Sequence, residues 1–202
     1  MNNQLQNSYL STAYLPPVEY IRVIADSEKS YIEKFENYQK QSYRNRCHIY
    51  SANGFLSLNI PVHRDSQRIS EVIIDYSKNW QKQHWRAIFS AYNSSPFFNY
   101  YKDDLYPFYN SEESSLLNFN TSLLLKLLEL IGVEKIPDFT DSYSNNIAGC
   151  DFRNIIHPKR IDLCENNYGQ YHQVFAHKNG FIPNLSIIDL LFNEGPNTIT
   201  YL

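Results

Sequence analysis

The chain has 202 residues, and its 18 Lys and Arg against 21 Asp and Glu give a net charge of −3. Proteins that bind nucleic acid usually carry a basic excess that neutralises phosphates, so this balance argues against nucleic acid as the partner. The length predicts one domain over residues 1–202, large enough to bury a core without disulfides or a structural metal.

Cysteine usage and hydropathy indicate the compartment. Cys47, Cys150 and Cys164 are widely spaced, with no Cys-x-x-Cys pair, so we expect reduced thiols and no metal site. We see no signal peptide, and no apolar run is long enough to cross a bilayer. The sequence therefore predicts a cytoplasmic protein without a membrane span. Its cofactor and oligomeric state stay unknown.

The first elements indicate an α/β fold. Residues 9–14 read as a strand, the pair Pro16-Pro17 precedes a helical pattern over 18–25, and residues 29–35 alternate like a second strand. Strand, helix and strand at this spacing predict a βαβ unit. We therefore expect an α/β domain with a mixed sheet, flanking helices and a β-hairpin.

The hairpin is predicted at Asn53-Gly54, because a type I′ turn needs two residues that tolerate positive φ. A two-residue loop would place Ala52 opposite Phe55 and Ile49 opposite Leu58. Alternation then predicts one apolar face and one polar face. The polar face carries Arg44, Arg46, His48, Tyr50, Ser57 and Asn59.

The second half contains mainly helices. Residues 68–75 suit a further strand, and residues 79–92 an amphipathic helix. A second helix would begin at an Asn110 cap, with Glu113 at its third position, and end at Gly132. Residues 134–172 are irregular, with a short strand near 155–156. Over 186–194, a last helix would begin with a capping box of Ser186 and Asp189.

Two sets of residues could carry chemistry. Arg44, Arg46 and His48 could hold a phosphate or carboxylate through charge-assisted hydrogen bonds, although a solvated sheet face is polar as well. His84, on the apolar side of its helix, is a candidate general base or a hydrogen-bonded core residue.

The carboxyl edge of the sheet offers a further candidate position. Ligands in open α/β sheets collect there, and the first strand delivers Tyr14 to that edge. Glu33, on the neighbouring strand, is the nearest candidate carboxylate and a second possible base. A polar residue on an edge strand explains it equally well.

Several motifs resemble the WbqC-like family of bacterial proteins, in the same order over most of the chain. They include Lys40-Gln41-Ser42-Tyr43-Arg44-Asn45-Arg46, the pairs Asn79-Trp80 and His84-Trp85, and the stretches over 13–17, 95–98 and 181–189. The motif places Lys40 and Asn45 beside the two arginines as candidate substrate-binding residues.

The resemblance implies a role in O-antigen or other surface-polysaccharide synthesis, where glycyl, aminoacyl or related group transfer to a sugar has been suggested. It carries over no catalytic residues. On this hypothesis the partner is a small molecule, such as a sugar nucleotide or another phosphate- or carboxylate-bearing compound. The alternative is a non-catalytic module that binds a sugar, nucleotide or protein, with the aromatic residues near 97–109 as its contact surface.

Overall fold

The structure, a computed structural model, describes residues 6–63, 67–160 and 169–202. Its strands are β1 (Ser8–Ser11), β2 (Ser30–Glu33), β3 (Arg46–Ser51), β4 (Gly54–Asn59), β5 (Asp138–Phe139) and β6 (Cys150–Asp151). Its α-helices are α1 (Val18–Asp26), α2 (Trp80–Tyr92), α3 (Phe98–Leu105), α4 (Leu116–Ile131), α5 (Ala176–Asn179) and α6 (Ile187–Glu194). The mixed α/β fold class is confirmed.

Four parallel strands form the larger sheet, in the order β5-β2-β1-β6. Helix α1 joins β1 to β2, which confirms the predicted βαβ unit. Strands β2 and β5 lie on one side of β1, and β6 lies on the other side. The order therefore reverses between β1 and β6, and the carboxyl ends of these strands are where open α/β sheets bind ligands.

Strands β3 and β4 pair antiparallel as a separate two-stranded sheet. Ser51 lies opposite Gly54 and Ile49 opposite Leu56, so the predicted register is wrong by two residues. The reason is the turn: φ is +93° at Gly54 but not positive at Asn53, whereas a type I′ turn needs both. A shift of two residues keeps every side chain on its predicted face.

The predicted helix over 79–92 is confirmed as α2, which buries Trp80, His84 and Ile88. The predicted start of the next helix is wrong. Asn110 instead ends a 3₁₀ helix over Tyr106–Tyr109, and Ser115 caps α4 by accepting a hydrogen bond from the Asn118 N–H at 3.3 Å. Its predicted end at Gly132 is confirmed, with φ at +84°.

Two predicted strands are wrong. Over 68–75 there is a 3₁₀ turn, Ile69–Glu71, and then isolated bridges, because Ile69, Val72 and Ile74 are buried at a spacing that does not alternate strictly. Residues 155–156 lie in a turn after β6, whose two residues pair with β1 instead. Cys164 lies outside the described residues.

The predicted capping box of α6 is also wrong. Ser186 occupies the N-cap position without a side-chain cap, and Asp189 points into the interior. Tyr171 donates its hydroxyl to Asp189 Oδ2 at 2.6 Å, and Gln173 donates its amide to the same oxygen at 2.8 Å. These tertiary partners occupy the carboxylate that local capping would need. No helix within the described residues combines the length and apolarity needed to cross a membrane.

Candidate functional site

A cleft of about 560 Å³ opens between the β3–β4 hairpin, the segment before β3 and the start of α2. We call it the hairpin cleft. Its lining residues are Tyr38, Lys40, Gln41, Asn45, Arg46, Asn59, Ile60, Pro61, Val62, Asp75, Lys78, Trp80, Gln83 and His84. This volume lies within the range of small-molecule binding sites.

Arg46 and Asn45 hold the hairpin side of the cleft. Arg46 begins β3, and its Nε donates to Asn59 Oδ1 at 2.6 Å across the strand pair. Asn45 donates its amide to the Ile60 carbonyl at 2.8 Å, and the Ile60 N–H donates to the Asn45 carbonyl at 2.8 Å. Asn45 thus fixes the strand ends, and no carboxylate among the described residues pairs with the Arg46 guanidinium.

The charges around the cleft favour an anion. Lys40 and Lys78 are exposed on its rim, and Arg46 is half-buried. Asp75 is the carboxylate among the lining residues. Hydrogen bonds from Ser77 lower the pKa of Asp75, so it stays ionised at neutral pH. Three cations therefore face one carboxylate.

His84 lies on the floor of the cleft with 5% of its surface exposed. Its Nδ1 is 2.9 Å from the Tyr14 hydroxyl, which is in turn 2.9 Å from the Tyr109 hydroxyl. The Trp80 ring packs edge-on against the imidazole, with centroids 5.1 Å apart. Burial lowers the pKa of His84 to about 4, although the Asn59 backbone opposes the shift, so the ring is neutral at neutral pH.

Tyr14 supports the cleft from below. Its side chain is fully buried, and burial raises its pKa well above the usual value, so the hydroxyl stays protonated. The Tyr14 hydroxyl contacts His84, and Tyr14 is not among the residues that line the cleft, so its predicted substrate contact stays a prediction.

Glu33 and Arg44 belong to a different place, at the carboxyl edge of the parallel sheet. The Glu33 carboxylate accepts from Arg153 Nη1 at 3.1 Å and from Thr140 Oγ1 at 2.9 Å. Arg44 donates its Nε to Glu36 Oε1 at 2.8 Å and its Nη2 to Ser11 Oγ at 2.7 Å. We call this set of side chains the carboxyl-edge network. Burial raises the pKa of Glu36, against the opposing effect of Arg44.

The expectation that Arg44, Arg46 and His48 share one polar surface is therefore wrong. Arg44 precedes β3 and is committed to the carboxyl-edge network. His48 is 4% exposed and lies between Tyr43 and Phe55, with ring centroids 5.5 Å and 4.2 Å away. Burial, and then the charge of Arg46, lower the pKa of His48 to about 4.

The hairpin cleft is thus lined by Lys40, Asn45, Arg46 and His84 from the predicted set, whereas Tyr14, Glu33, Arg44 and His48 do not line it. Sequence reasoning missed Lys78 and Asp75. Lys78 could have been found, because it directly precedes the Asn79-Trp80 motif. In the part of the chain that the structure describes, no three His, Cys, Asp or Glu side chains are grouped so that they could hold a metal ion.

Comparison with known proteins identifies the family. The family model described as WbqC-like protein family matches residues 12–166 and 157–201. The chain belongs to the WbqC-like family. It is 28% identical over 220 aligned positions to an uncharacterised protein of Mycobacterium tuberculosis, covering 94% of each chain. No solved structure matches the chain.

The family match covers both candidate regions of this WbqC-like protein. Residues 12–166 include every residue that lines the hairpin cleft and all of the carboxyl-edge network except Ser11. The second matched range, 157–201, contains Asp189 and its partners Tyr171 and Gln173.

Proposed function

We propose that this WbqC-like protein binds a phosphate- or carboxylate-bearing small molecule, such as a sugar nucleotide, in the hairpin cleft. The observation that carries the proposal is the Arg46 guanidinium, which faces the cleft beside Lys40 and Lys78 without a carboxylate partner among the described residues. Arginine binds phosphates and carboxylates through two parallel N–H groups, and lysines add point charges.

As an enzyme, the protein would transfer a group, such as a glycyl or aminoacyl group, from an activated donor to a sugar during surface-polysaccharide synthesis. The Arg46 guanidinium would stabilise charge that develops on the donor. We assign the role of base to His84, which is neutral and lies on the cleft floor. The Glu33 carboxylate is hydrogen-bonded to Arg153 and Thr140 and does not line this cleft, so we do not assign it the role of base.

A non-catalytic binding module is the second candidate. It is favoured by the environment of His84, whose imidazole is buried and whose Nδ1 is already hydrogen-bonded to Tyr14. A histidine held in this way can serve as a rigid wall of a binding site without moving a proton.

Binding is tested by titrating the protein with UDP-N-acetylglucosamine and with inorganic pyrophosphate in a calorimeter. We expect Arg46→Ala to weaken binding about tenfold to a hundredfold, since a charged hydrogen bond contributes about 1.5–3 kcal/mol. The matched control is Lys29→Ala, which removes an exposed cation near the amino end of β2. Equal binding by Arg46→Ala and the control would refute the proposal. A melting temperature lowered only in Arg46→Ala would show that Arg46 is structural.

The two candidates differ in turnover. If His84 is a base, His84→Gln keeps the binding affinity within a few-fold and loses the transfer of glycyl or aminoacyl groups from activated donors. Saturable binding without turnover of any donor would support the binding module instead. A cytoplasmic location, expected from the cysteine usage, stays a prediction.

A further inference from the structure

A second groove, of about 520 Å³, lies on the other side of the α2 amino end, between α2 and the 3₁₀ helix Tyr106–Tyr109. We call it the aromatic groove. Trp85, Tyr106 and Tyr109 line it, together with polar side chains from α2 and from the residues that follow the 3₁₀ helix. Since His84 and Trp85 are neighbours in the helix, the two side chains leave it in different directions and line different cavities.

Three aromatic rings form the wall of this groove. The Trp85 centroid lies 5.1 Å from that of Tyr106, with 52° between the ring planes, and 5.4 Å from that of Tyr109, at 35°. Tyr109 is buried, Trp85 is partly exposed and Tyr106 is 43% exposed. The inner ring thus packs into the core, and the outer two present ring surface to the groove.

The wall is held in place before any ligand arrives. Gln81, on α2, donates its side-chain amide to the Phe108 carbonyl at 3.2 Å and to the Ser111 carbonyl. These bonds tie the helix to the segment that carries Tyr106 and Tyr109. A preformed surface loses little conformational entropy when it binds a ligand.

Several polar groups around the rings have no partner among the described residues. Within the described residues, nothing accepts a hydrogen bond from the Trp85 indole N–H, and that nitrogen, on a residue that lines the groove, is not fully buried. In the part of the chain that the structure describes, Lys82 and Arg86, on the same helix, pair with no carboxylate, and Glu112 pairs with no cation. The groove therefore offers donors and an acceptor beside an apolar wall.

We propose that the aromatic groove binds a pyranose sugar. A pyranose ring has one face of C–H groups, which packs on aromatic rings through dispersion and weak C–H contacts, and a rim of hydroxyls that need donors and acceptors. Trp85 and Tyr106 match the face, while the indole N–H, Lys82, Arg86 and Glu112 match the rim. This site goes beyond the anion site of the hairpin cleft and depends on none of its residues.

The proposal is tested by saturation-transfer NMR on the unmodified protein, with methyl β-D-glucopyranoside and methyl β-D-N-acetylglucosaminide as uncharged probes. We expect saturable binding in the millimolar range, with the strongest transfer at the ring protons of the apolar face. Trp85→Ala should abolish the transfer, and Tyr106→Ala should weaken binding at least fivefold. The matched control is Tyr100→Ala, an exposed tyrosine on α3 that does not line the groove.

Trp80→Phe leaves Trp85 as the single tryptophan of the chain, so its fluorescence should change on titration with the same sugars. Arg46→Ala should keep full sugar binding, which separates this proposal from that of the hairpin cleft. Absence of saturable transfer for both glycosides would overturn the sugar site. If Tyr100→Ala and Trp85→Ala reduce the saturation transfer equally, the proposal is overturned as well, because sugar binding would then not depend on the aromatic groove.

Discussion

At the scale of single residues, Arg44 and Arg46 differ mainly in what surrounds them. Arg44 is 2% exposed and its guanidinium is bonded to Glu36 and Ser11, so its charge is compensated inside the protein. Arg46, two positions later, bonds to the neutral amide of Asn59 and keeps its charge available to the hairpin cleft. Buried charges need partners because desolvation is costly, and this explains why Arg44 is paired inside the protein.

Asp189 should make the unfolding free energy of the protein depend on pH. Burial raises its pKa to about 6, opposed by hydrogen bonds from Tyr171 and Gln173. The folded protein thus holds this proton more tightly than the unfolded chain, in which an Asp pKa is about 3.9. The resulting stabilisation is complete below about pH 4 and is lost as the pH rises through about 6. We expect Asp189→Asn, which stays neutral, to gain roughly 3 kcal/mol relative to the natural protein between pH 4 and pH 8.

Urea unfolding of the natural protein and of Asp189→Asn at the two pH values measures this difference. Because Asn can accept the Tyr171 hydrogen bond at Oδ1, the variant isolates the charge. A free-energy difference that is the same at pH 4 and pH 8 would mean that Asp189 titrates near its ordinary pKa.

At the scale of elements, the two ends of α4 were not equally predictable. Asn110 and Ser115 both have side chains that can cap a helix. The aromatic segment before Asn110 forms a 3₁₀ helix whose last N–H donor is Asn110 itself, to the Pro107 carbonyl at 3.1 Å. The choice between the two caps thus depends on how Tyr109 and its neighbours pack, whereas the glycine at the other end terminates the helix by its own conformation.

The backbone conformation of Gly132, at the end of α4, predicts what a substitution there costs. Its φ of +84° belongs to the left-handed region, and a Cβ added there meets no atom within 4 Å. Gly132→Ala should therefore lower the free energy of unfolding by about 1–2 kcal/mol through backbone strain alone. Gly132→Asn should lose less, because Asn adopts this conformation more readily. Thermal or urea unfolding distinguishes the two variants, and equal losses would show that strain is not the cause.

At the scale of the whole molecule, the carboxyl-edge network joins segments that are far apart in the chain. Arg153, after β6, is paired with Glu33 at the end of β2, and Arg44, before β3, is paired with Glu36. Ser11, at the end of β1, donates to the Arg153 carbonyl at 2.8 Å and accepts from Arg44. These bonds hold the hairpin cleft in position relative to the parallel sheet.

The pair of Glu33 and Arg153 supports a prediction about global stability. Both side chains are at least 96% buried, so Arg153→Met leaves the Glu33 carboxylate without its cation, whereas Glu33→Gln leaves Arg153 paired with Asp151 at 2.8 Å. We expect Arg153→Met to cost about 3–5 kcal/mol of unfolding free energy, Glu33→Gln to cost less than that, and the double variant to cost less than the sum of the two. Urea unfolding of the four proteins measures the coupling.

The surface pair of Lys126 and Glu129 is the matched control. Its side chains are 29% and 67% exposed, so Lys126→Met should cost less than about 1 kcal/mol. Additive losses in the Glu33 and Arg153 variants would mean that the two charges are stabilised separately and that the network is not a unit.

Local chemistry was enough to determine the βαβ unit, the α2 helix and the glycine end of α4. Each depends on a short-range rule: the period of apolar residues, a proline before a helix, or a positive φ. The strand and helix patterns named Arg46 and His84 as candidates, and the family motif added Lys40 and Asn45. These four residues meet in the hairpin cleft.

Tertiary structure alone decided which charges remain available. The separation of Arg44 from Arg46, the burial of His48 and the inward turn of Asp189 depend on partners such as Glu36, Phe55 and Tyr171, which periodicity cannot bring together. The compensation of a buried charge is a long-range property, because its partner comes from whichever segment packs against it. Several residues of the hairpin cleft can therefore be found in the sequence as a motif, but the fold decides which of its cations have no carboxylate partner.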